Sequence, residues 1–171
     1  MIKVQFCCGG NHPEGWINHD MEVDISGVLP YLNDSVDRIF CEHGIEHITQ
    51  YQAVCFLAEC RRILKKSGVV CILFPDAHRI ITQSTPKYRE FIRSFGSDGT
   101  LEGSVRSIVF NHAHKSFWGT RTMLVAFIAA GFDLTNMCEV DGSAFIGLPG
   151  HGKVIGEEMN TIETSTVMAV K

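Results

Sequence analysis

The stretch from residue 36 to residue 76 constrains the fold most strongly, because two strand patterns flank a helix pattern. Val36 to Cys41 is rich in branched and aromatic residues, which is typical of a buried strand. Val69 to Phe74 is almost wholly apolar and ends at Pro75-Asp76, as expected for a parallel strand covered on both faces. The two runs predict neighbouring strands of an α/β fold, joined by a crossover helix.

The segment between these runs carries the clearest helix pattern of the chain. Thr49 and Gln52 have the spacing of a capping box, and Lys65-Lys66 precede a stop at Gly68. Apolar side chains recur with helical spacing, which predicts a face that covers a sheet. This predicted buried face consists of Ala53, Phe56, Leu57, Cys60 and Leu64.

Near the amino terminus, two short apolar stretches predict two more strands. Lys3 to Cys8 reads as a first buried strand closed by Gly9-Gly10, and Trp16 to Asn18 as a second strand that ends at Asp20. The loop between them is too short for a full crossover helix, which normally needs a dozen or more residues. We therefore predict an abbreviated first connection.

The remainder of the chain is less regular. Residues Ala77 to Phe117 are interrupted by proline and glycines and predict helical pieces and loops that could form a lid. Thr120 to Ala130 predicts a second amphipathic helix, and Phe132 to Val140 and Thr164 to Val170 predict strands. A surface loop is predicted over Asp141 to Gly156, because this stretch is rich in glycine and shows neither helical nor strand periodicity. The order of elements predicts a mostly parallel sheet closed by an antiparallel pair.

Composition limits the class of protein. A chain of 171 residues predicts a single domain over residues 1–171, and a net charge of -4 with a pI near 6.0 disfavours nucleic-acid binding. We expect neither a membrane span nor a signal peptide, because no apolar run is long enough and the amino terminus leads directly into a strand. Seven cysteines without a CxxC pair favour reduced thiols and a cytoplasmic location.

Ligands of such sheets bind beyond the carboxyl ends of the strands, where the strand order reverses. The residues expected there are Cys7 to Gly10, Asp20, Glu42 to His47 and Asp76. Glycines allow close backbone approach to a ligand, and a carboxylate at the end of the second strand can accept both hydroxyl protons of a ribose. Asp24-Ile25 could accept from an adenine amino group and cover its ring, although aspartates also favour turns and helix caps.

The order of short motifs along the chain is similar to that of a known family. The motifs are Phe6-Cys7-Cys8-Gly9-Gly10, Gly15-Trp16-Ile17-Asn18, Asp20, Leu29-Pro30-Tyr31, Asn33-Asp34-Ser35-Val36-Asp37, Glu46-His47, Glu59-Cys60-Arg61-Arg62-Ile63-Leu64-Lys65 and Pro75-Asp76. In this order the sequence resembles the class I methyltransferases of type 11, from Val4 to about Asp76 and again, more weakly, at His114-Lys115 and Ala130-Gly131-Phe132.

The resemblance implies a three-layer α/β sandwich of the Rossmann-like methyltransferase type that binds S-adenosylmethionine (SAM). It assigns the methionine part of SAM to the loop Cys7, Cys8, Gly9 and Gly10, and the ribose to Asp20 with Met21 beside it. It assigns the adenine to Asp24 and Ile25, and the sulfonium side to Cys41, Glu42 and His43. Candidates for a catalytic base are Glu42, His43, His47 and His114.

The sequence departs from the family pattern at two places. Cys7 stands where the family has the first glycine of the loop, so its side chain could crowd the approach to the cofactor. Lys66-Ser67-Gly68 replaces a usual Pro-Gly-Gly. A non-catalytic relative that only binds SAM or S-adenosylhomocysteine is therefore one alternative function.

The segment His43-Gly44-Ile45-Glu46-His47 supplies another alternative. It spells HxxEH, in which two histidines one helical turn apart hold zinc and the glutamate acts as base in a hydrolase. Gly44 weakens such a helix, and the methyltransferase interpretation names no metal ligand. In that interpretation Glu46 and His47 instead fix the junction between strand and helix by hydrogen bonds.

The acceptor of a methyl group is not determined by these motifs. Without a basic patch or an added recognition domain, we expect a small molecule such as a sugar or metabolite. His114-Lys115 and Trp118 could line the pocket of this acceptor. The same residues are equally typical of a solvent-exposed loop followed by an aromatic residue of the core. The sequence leaves the oligomeric state open.

Overall fold

A computed structural model of the chain describes residues 1–139 and 156–171. The described strands are β1 (Lys3–Phe6), β2 (Ile17–Asn18), β3 (Val36–Glu42), β4 (Leu64–Pro75), β5 (Met137–Glu139) and β6 (Thr164–Val170). The described α-helices are α1 (Gln50–Ile63), α2 (Ala77–Gln83), α3 (Pro86–Phe91), α4 (Leu101–Phe110), α5 (Thr120–Ala129) and α6 (Glu157–Glu163). Short 3-10 turns cover Ile45–His47, Ile92–Phe95 and Leu134–Asn136.

The strands form one six-stranded sheet in the order β2-β1-β3-β4-β6-β5. The pairs from β2 to β4 are parallel, whereas β6 is antiparallel to both β4 and β5. This confirms the predicted mostly parallel sheet with an antiparallel closing pair. The connection between β1 and β2 contains no helix, as predicted from its length.

The main core lies between one face of the sheet and the helices α1 and α5. The capping box of Thr49 and Gln52 is present at the start of α1, which buries four of the five side chains predicted for its inner face together with Ile63. From α5, Met123, Ala126 and Phe127 join the same cluster. The opposite face carries a smaller cluster of Trp16, Phe40, Cys71 and Leu73.

Two predicted boundaries were wrong. β4 begins at Leu64 and not at Val69, because Leu64 already pairs with Val36 across the sheet, so Lys65 and Lys66 lie in the strand and not in the last turn of a helix. The strand predicted from Phe132 begins instead at Met137. The residues before it form a 3-10 turn, because the carboxylate of Asp133 accepts from the backbone N–H of Thr135. Val140 and most of the predicted loop Asp141 to Gly156 lie outside the described residues.

The segment 77–117 folds as the predicted set of helices and loops. Its helices α2, α3 and α4 pack with α6 around a second apolar cluster, which includes Ile80, Tyr88, Ile92 and Ile108. The first of these helices, α2, begins directly after the carboxyl end of β4 and contributes Ile80 to this cluster. No helix among residues 1–139 and 156–171 combines the length and apolar character needed to cross a bilayer.

Asp76 anchors this segment to the sheet. Asp76 is 1% exposed, and its Oδ1 accepts from the backbone N–H groups of His78 and Arg79 at the start of α2. Its Oδ2 accepts from the backbone N–H and the hydroxyl of Thr120 at the start of α5, and from the Ser165 hydroxyl of β6 at 2.7 Å. The expectation that Asp76 faces a ligand was therefore wrong, since its carboxylate is occupied by the protein itself.

Replacement of Asp76 by alanine should lower the free energy of unfolding by about 3 kcal/mol, because buried donors on three elements lose a charged acceptor. Urea denaturation followed by circular dichroism measures the change. Asp133→Ala is the control: it removes an exposed capping carboxylate, and we expect a smaller loss. Equal effects of the two substitutions would contradict the anchoring role of Asp76.

Candidate functional site

The register of the sheet brings the carboxyl ends of β1, β3 and β4 to one edge. Phe6 pairs with Cys41, and Cys41 pairs with Ile72, so the segments that follow these strands leave the sheet side by side. β1 lies between β2 and β3, which places the reversal of strand order at this edge. The predicted site residues of the first three strands are therefore brought together.

The loop after β1 is open above its glycines. Gly9 and Gly10 are exposed, and a Cβ added at either would meet nothing within 4 Å. Gly9 has a φ of +49°, a conformation that glycine adopts without cost, and its N–H points to Oδ1 of Asp20 at 3.4 Å. Asp20 is exposed at the end of the second strand segment. The loop and this carboxylate border open space at this edge of the sheet, which is called the cleft below.

Cys7 points away from this open space. It adopts a left-handed backbone with a φ of +56°, which explains why a glycine is usual there. Its side chain lies against Gly44, since a Cβ built on Gly44 would come 2.4 Å from Cys7 Sγ and 3.0 Å from Cys41 Sγ. The predicted crowding of the glycine loop by Cys7 is therefore not seen.

The thiols beneath the loop are not set up as nucleophiles. The contact with Cys7 and complete burial raise the pKa of the Cys41 thiol well above its usual value. Burial and the charges of Asp20 and Glu22 raise the pKa of Cys8. Both thiols therefore stay protonated at neutral pH, which agrees with a packing role.

The residues predicted beside the ribose and around the adenine divide into exposed and buried groups. Met21 is 94% exposed. Asp24 is exposed, and its Oδ1 accepts from the backbone N–H and the hydroxyl of Ser26, which lowers the pKa of its carboxyl. Ile25, by contrast, is buried in the main core. Its side chain offers little surface for a ring.

A cavity of about 220 Å³ opens at the same edge of the sheet, beyond β3 and β4. Its apolar wall comes from the segment 77–117 and consists of Phe91, Ile92, Phe95 and Ile108. Its polar wall consists of His43, Glu46, His47, His112, His114 and Glu163, with Pro75 at the end of β4 completing the lining. His43 directly precedes Gly44, so the cavity begins next to the loop that follows β1.

His43 and Glu46 form a buried ion pair in this wall. Nδ1 of His43 lies 3.3 Å from Oε1 of Glu46, and its Nε2 contacts the Thr164 hydroxyl at 3.1 Å. Burial disfavours the charged form of each side chain. The hydrogen bond and the attraction between the two side chains outweigh this effect, so the pKa of His43 is raised and that of Glu46 is lowered. Burial raises the pKa of Glu163, despite the nearby His43 and the hydroxyl of Tyr88 that donates to it.

The inverted zinc motif is not formed by these residues. Ile45–His47 is a 3-10 turn, and both ring nitrogens of His43 are engaged by Glu46 and Thr164. The two histidines one helical turn apart on a helix, which the HxxEH prediction requires, are therefore not formed, and His43 is held instead by contacts within the protein. Glu46 was expected to fix the junction between strand and helix by hydrogen bonds, and it does contact His43 at the end of β3. It also lines the cavity.

Sequence reasoning named some residues of the cavity and missed others. Glu42, a half-buried residue at the end of β3, is not among the lining residues, whereas His43, His47 and His114 are. Trp118 is 3% exposed and belongs to the main core, so it is not a pocket residue. Glu163 and the apolar wall were missed, because no local pattern links residues so far apart in the sequence to one cavity.

The contact between Cys7 and Gly44 can be tested by a double-mutant cycle. Gly44→Ala should lower the free energy of unfolding by about 2 kcal/mol, since the new methyl group overlaps Cys7. Adding Cys7→Gly should restore most of this loss, and Gly10→Ala, where a Cβ meets open space, should change little. Urea denaturation measures these three variants and Cys7→Gly alone, which completes the cycle. Additive effects of the two substitutions would show that Cys7 does not point toward Gly44.

Comparisons with known proteins agree with this architecture. Residues 11–72 match the methyltransferase type 11 family, described as a methyltransferase domain. No curated protein matches the sequence significantly.

Solved structures of the same architecture include a SAM-dependent methyltransferase from Archaeoglobus fulgidus, with 14% identity, a TM-score of 0.56 and coverage of 99% of this chain and 86% of that one. Another, from Thermotoga maritima, is a SAM-dependent methyltransferase described as a possible histamine N-methyltransferase, with 15% identity, a TM-score of 0.55 and coverage of 99% and 82%. A third is a putative O-methyltransferase from Nostoc punctiforme, with 14% identity, a TM-score of 0.53 and coverage of 91% and 37%.

The chain thus spans well under half the length of the Nostoc punctiforme protein. The chain has the Rossmann-like fold of the class I SAM-dependent methyltransferases, and its residues 11–72 carry the type 11 methyltransferase pattern.

Proposed function

We propose that this chain transfers the methyl group of SAM to a small-molecule acceptor bound in the cavity beyond β3 and β4. The observation that carries the proposal is the adjacency of two spaces at one edge of the sheet. The first is the open cleft above Gly9 and Gly10, and the second is the cavity that begins at His43. A methyl donor and an acceptor have to meet in this way, since positioning supplies much of the rate of such a transfer.

Within the cleft, the protein's own groups fit the parts of SAM. The backbone around Gly9 and Gly10 would receive the methionine part, because no side chain fills the space above it. The exposed carboxylate of Asp20 would accept from the ribose hydroxyls. Asp24 would accept from the adenine amino group through the carboxylate oxygen that Ser26 does not use. Bound SAM supplies an electrophilic methyl group.

Cys41 and Ile25 have a supporting role in this proposal. Both are buried, so they shape the floor of the cleft and offer little side-chain surface to the cofactor. Met21, being exposed, would cover the bound nucleoside from the solvent side. The non-catalytic alternative rested on crowding by Cys7, and the orientation of that side chain removes its main support.

The acceptor would be small because the cavity is closed on one side by the segment 77–117. Phe91, Ile92, Phe95 and Ile108 from this segment face the ionisable wall across about 220 Å³, which is the size of a small metabolite and not of a folded macromolecule. We therefore propose that residues 77–117 act as the acceptor-binding lid of a single domain. The seven cysteines are all free thiols, which supports a reducing compartment such as the cytoplasm.

Of the proposed bases, His43 is unsuited to the role. Its two ring nitrogens lie against Glu46 and Thr164, so both are already engaged within the protein and do not face an acceptor. His47 and His114 line the cavity and remain candidates, whereas Glu42 does not line it. A base is needed only if the acceptor nucleophile carries a proton.

Binding of the cofactor tests the proposal directly. Isothermal titration calorimetry with SAM and with S-adenosylhomocysteine should give saturable binding to the unmodified chain. Asp20→Ala should weaken both interactions at least about tenfold, because a charge-assisted bond to the ribose is lost. Glu14→Gln removes an exposed carboxylate of the same connection between β1 and β2 and should bind like the unmodified chain. Unchanged affinity in Asp20→Ala would contradict the ribose assignment.

The size of the acceptor can be measured with methyl-labelled SAM. After incubation with a cell extract, label should appear in the low-molecular-weight fraction and be absent when the chain is left out. Label recovered with protein or nucleic acid would contradict a small-molecule acceptor.

A further inference from the structure

One atom in the cavity wall stands out as unsatisfied. Glu46 is 2% exposed, and its Oε1 lies beside His43, yet its Oε2 is buried and has no hydrogen-bond partner among the described residues. A buried carboxylate oxygen left in this state is costly, and such groups in native proteins usually face a water molecule or an ion. Glu46 lines the cavity, so a ligand could reach it there.

Two imidazoles lie beside this carboxylate. The rings of His47 and His114 approach with centroids 4.9 Å apart, and one potential ligand atom from each of Glu46, His47 and His114 lies within 4.8 Å of the others. Nδ1 of His114 donates to the carbonyl oxygen of Ile108. Because a carbonyl can only accept, this bond fixes the tautomer of neutral His114 and leaves the lone pair on Nε2, which is the arrangement that metal-binding histidines commonly show.

The backbone holds the three groups together. The carbonyl oxygen of Glu46 accepts from the N–H groups of both Lys115 and Ser116, at 2.8 and 3.1 Å, and the Ser116 hydroxyl donates to the carbonyl of Ile45. These bonds tie the residues after His114 to the turn that carries Glu46 and His47. The grouping is therefore held by hydrogen bonds between two backbone segments. Of its three side chains, Glu46 is buried, His114 is half-buried and His47 is exposed.

We propose that Glu46, His47 and His114 form a binding site for one divalent transition-metal ion of the zinc type. Two imidazoles and one carboxylate are the donor set that such ions prefer, and three protein ligands leave coordination positions free. His43 acts on this site as a positioning residue, since its contact with Oε1 leaves Oε2 of Glu46 for the ion. The three ligands differ from the HxxEH pair, because His43 is not among them.

The free positions would face the cavity and take an oxygen atom of the ligand bound there. This step rests on the proposed function: if the cavity holds the methyl acceptor, the acceptor is an oxygen-bearing molecule, such as an alcohol, whose hydroxyl a bound cation makes more acidic. His47 and His114 would then act as metal ligands and not as bases.

Metal binding is measured on the full chain, without SAM or acceptor, so that its outcome is independent of the proposed methyl transfer. After treatment with a chelator, titration with Co²⁺ should produce the visible absorption of a site with nitrogen and oxygen ligands, with a stoichiometry of one ion per chain. Zn²⁺ should displace Co²⁺ and abolish the signal. Acetohydroxamate, a chelating oxygen ligand, should change the spectrum if free positions face the cavity.

The variants separate a built site from adventitious binding. His47→Ala, His114→Ala and Glu46→Gln should each weaken Co²⁺ binding at least about tenfold. His78→Ala removes an exposed histidine of α2 and should bind like the unmodified chain. Thermal unfolding of each variant without metal shows whether it is folded, and Glu46→Gln keeps the shape of the side chain in case an alanine variant is not.

Several outcomes would overturn the proposal. These are the absence of stoichiometric Co²⁺ binding, equal binding by Glu46→Gln and the unmodified chain, or a sulfur-to-cobalt charge-transfer band, which would place the ion on cysteines. If acetohydroxamate left the spectrum unchanged, the proposals that free coordination positions face the cavity and that the acceptor carries an oxygen atom would both be wrong. Calorimetry with SAM on the same variants keeps the two proposals apart, since loss of the metal should leave binding of the cofactor intact.

Discussion

The buried carboxylate of Asp76 is the interaction on which the arrangement of the site depends. It lies at the end of β4 and accepts hydrogen bonds from the start of α2, the start of α5 and the Ser165 hydroxyl of β6. A charge buried to this degree is stable only when its oxygens are fully hydrogen-bonded. The carboxylate therefore fixes the starts of α2 and α5 relative to β6, and α2 opens the segment that closes the cavity.

The cleft and the cavity share one boundary, the turn that follows β3. Gly44 in this turn contacts the side chain of Cys7 on one side, and His43 and Glu46 line the cavity on the other. A larger residue at 44 would push the loop after β1 away from the sheet. The close packing at this turn explains how Cys7 can occupy a left-handed position without filling the space above Gly9.

Much of the fold was predictable because its signals are local. The capping box at Thr49 and the apolar run from Val69 to Phe74 set a helix and a strand by short-range preferences, and the length of the connection after β1 excluded a helix. The errors arose where pairing overrode these preferences. Leu64 begins β4 since its partner Val36 lies across the sheet, and no pattern within the helix reveals that pairing.

For the site, the sequence by itself determined the glycine loop, the carboxylate of Asp20 and the segment that carries Glu46 and His47, because each lies directly after a strand whose pattern is visible. Only the tertiary structure decided which groups meet. It engages His43 with Thr164 from a distant strand and brings His114 to Glu46 through backbone hydrogen bonds. These contacts follow from how the sheet and the segment 77–117 pack, and sequence spacing does not encode distances between residues that far apart.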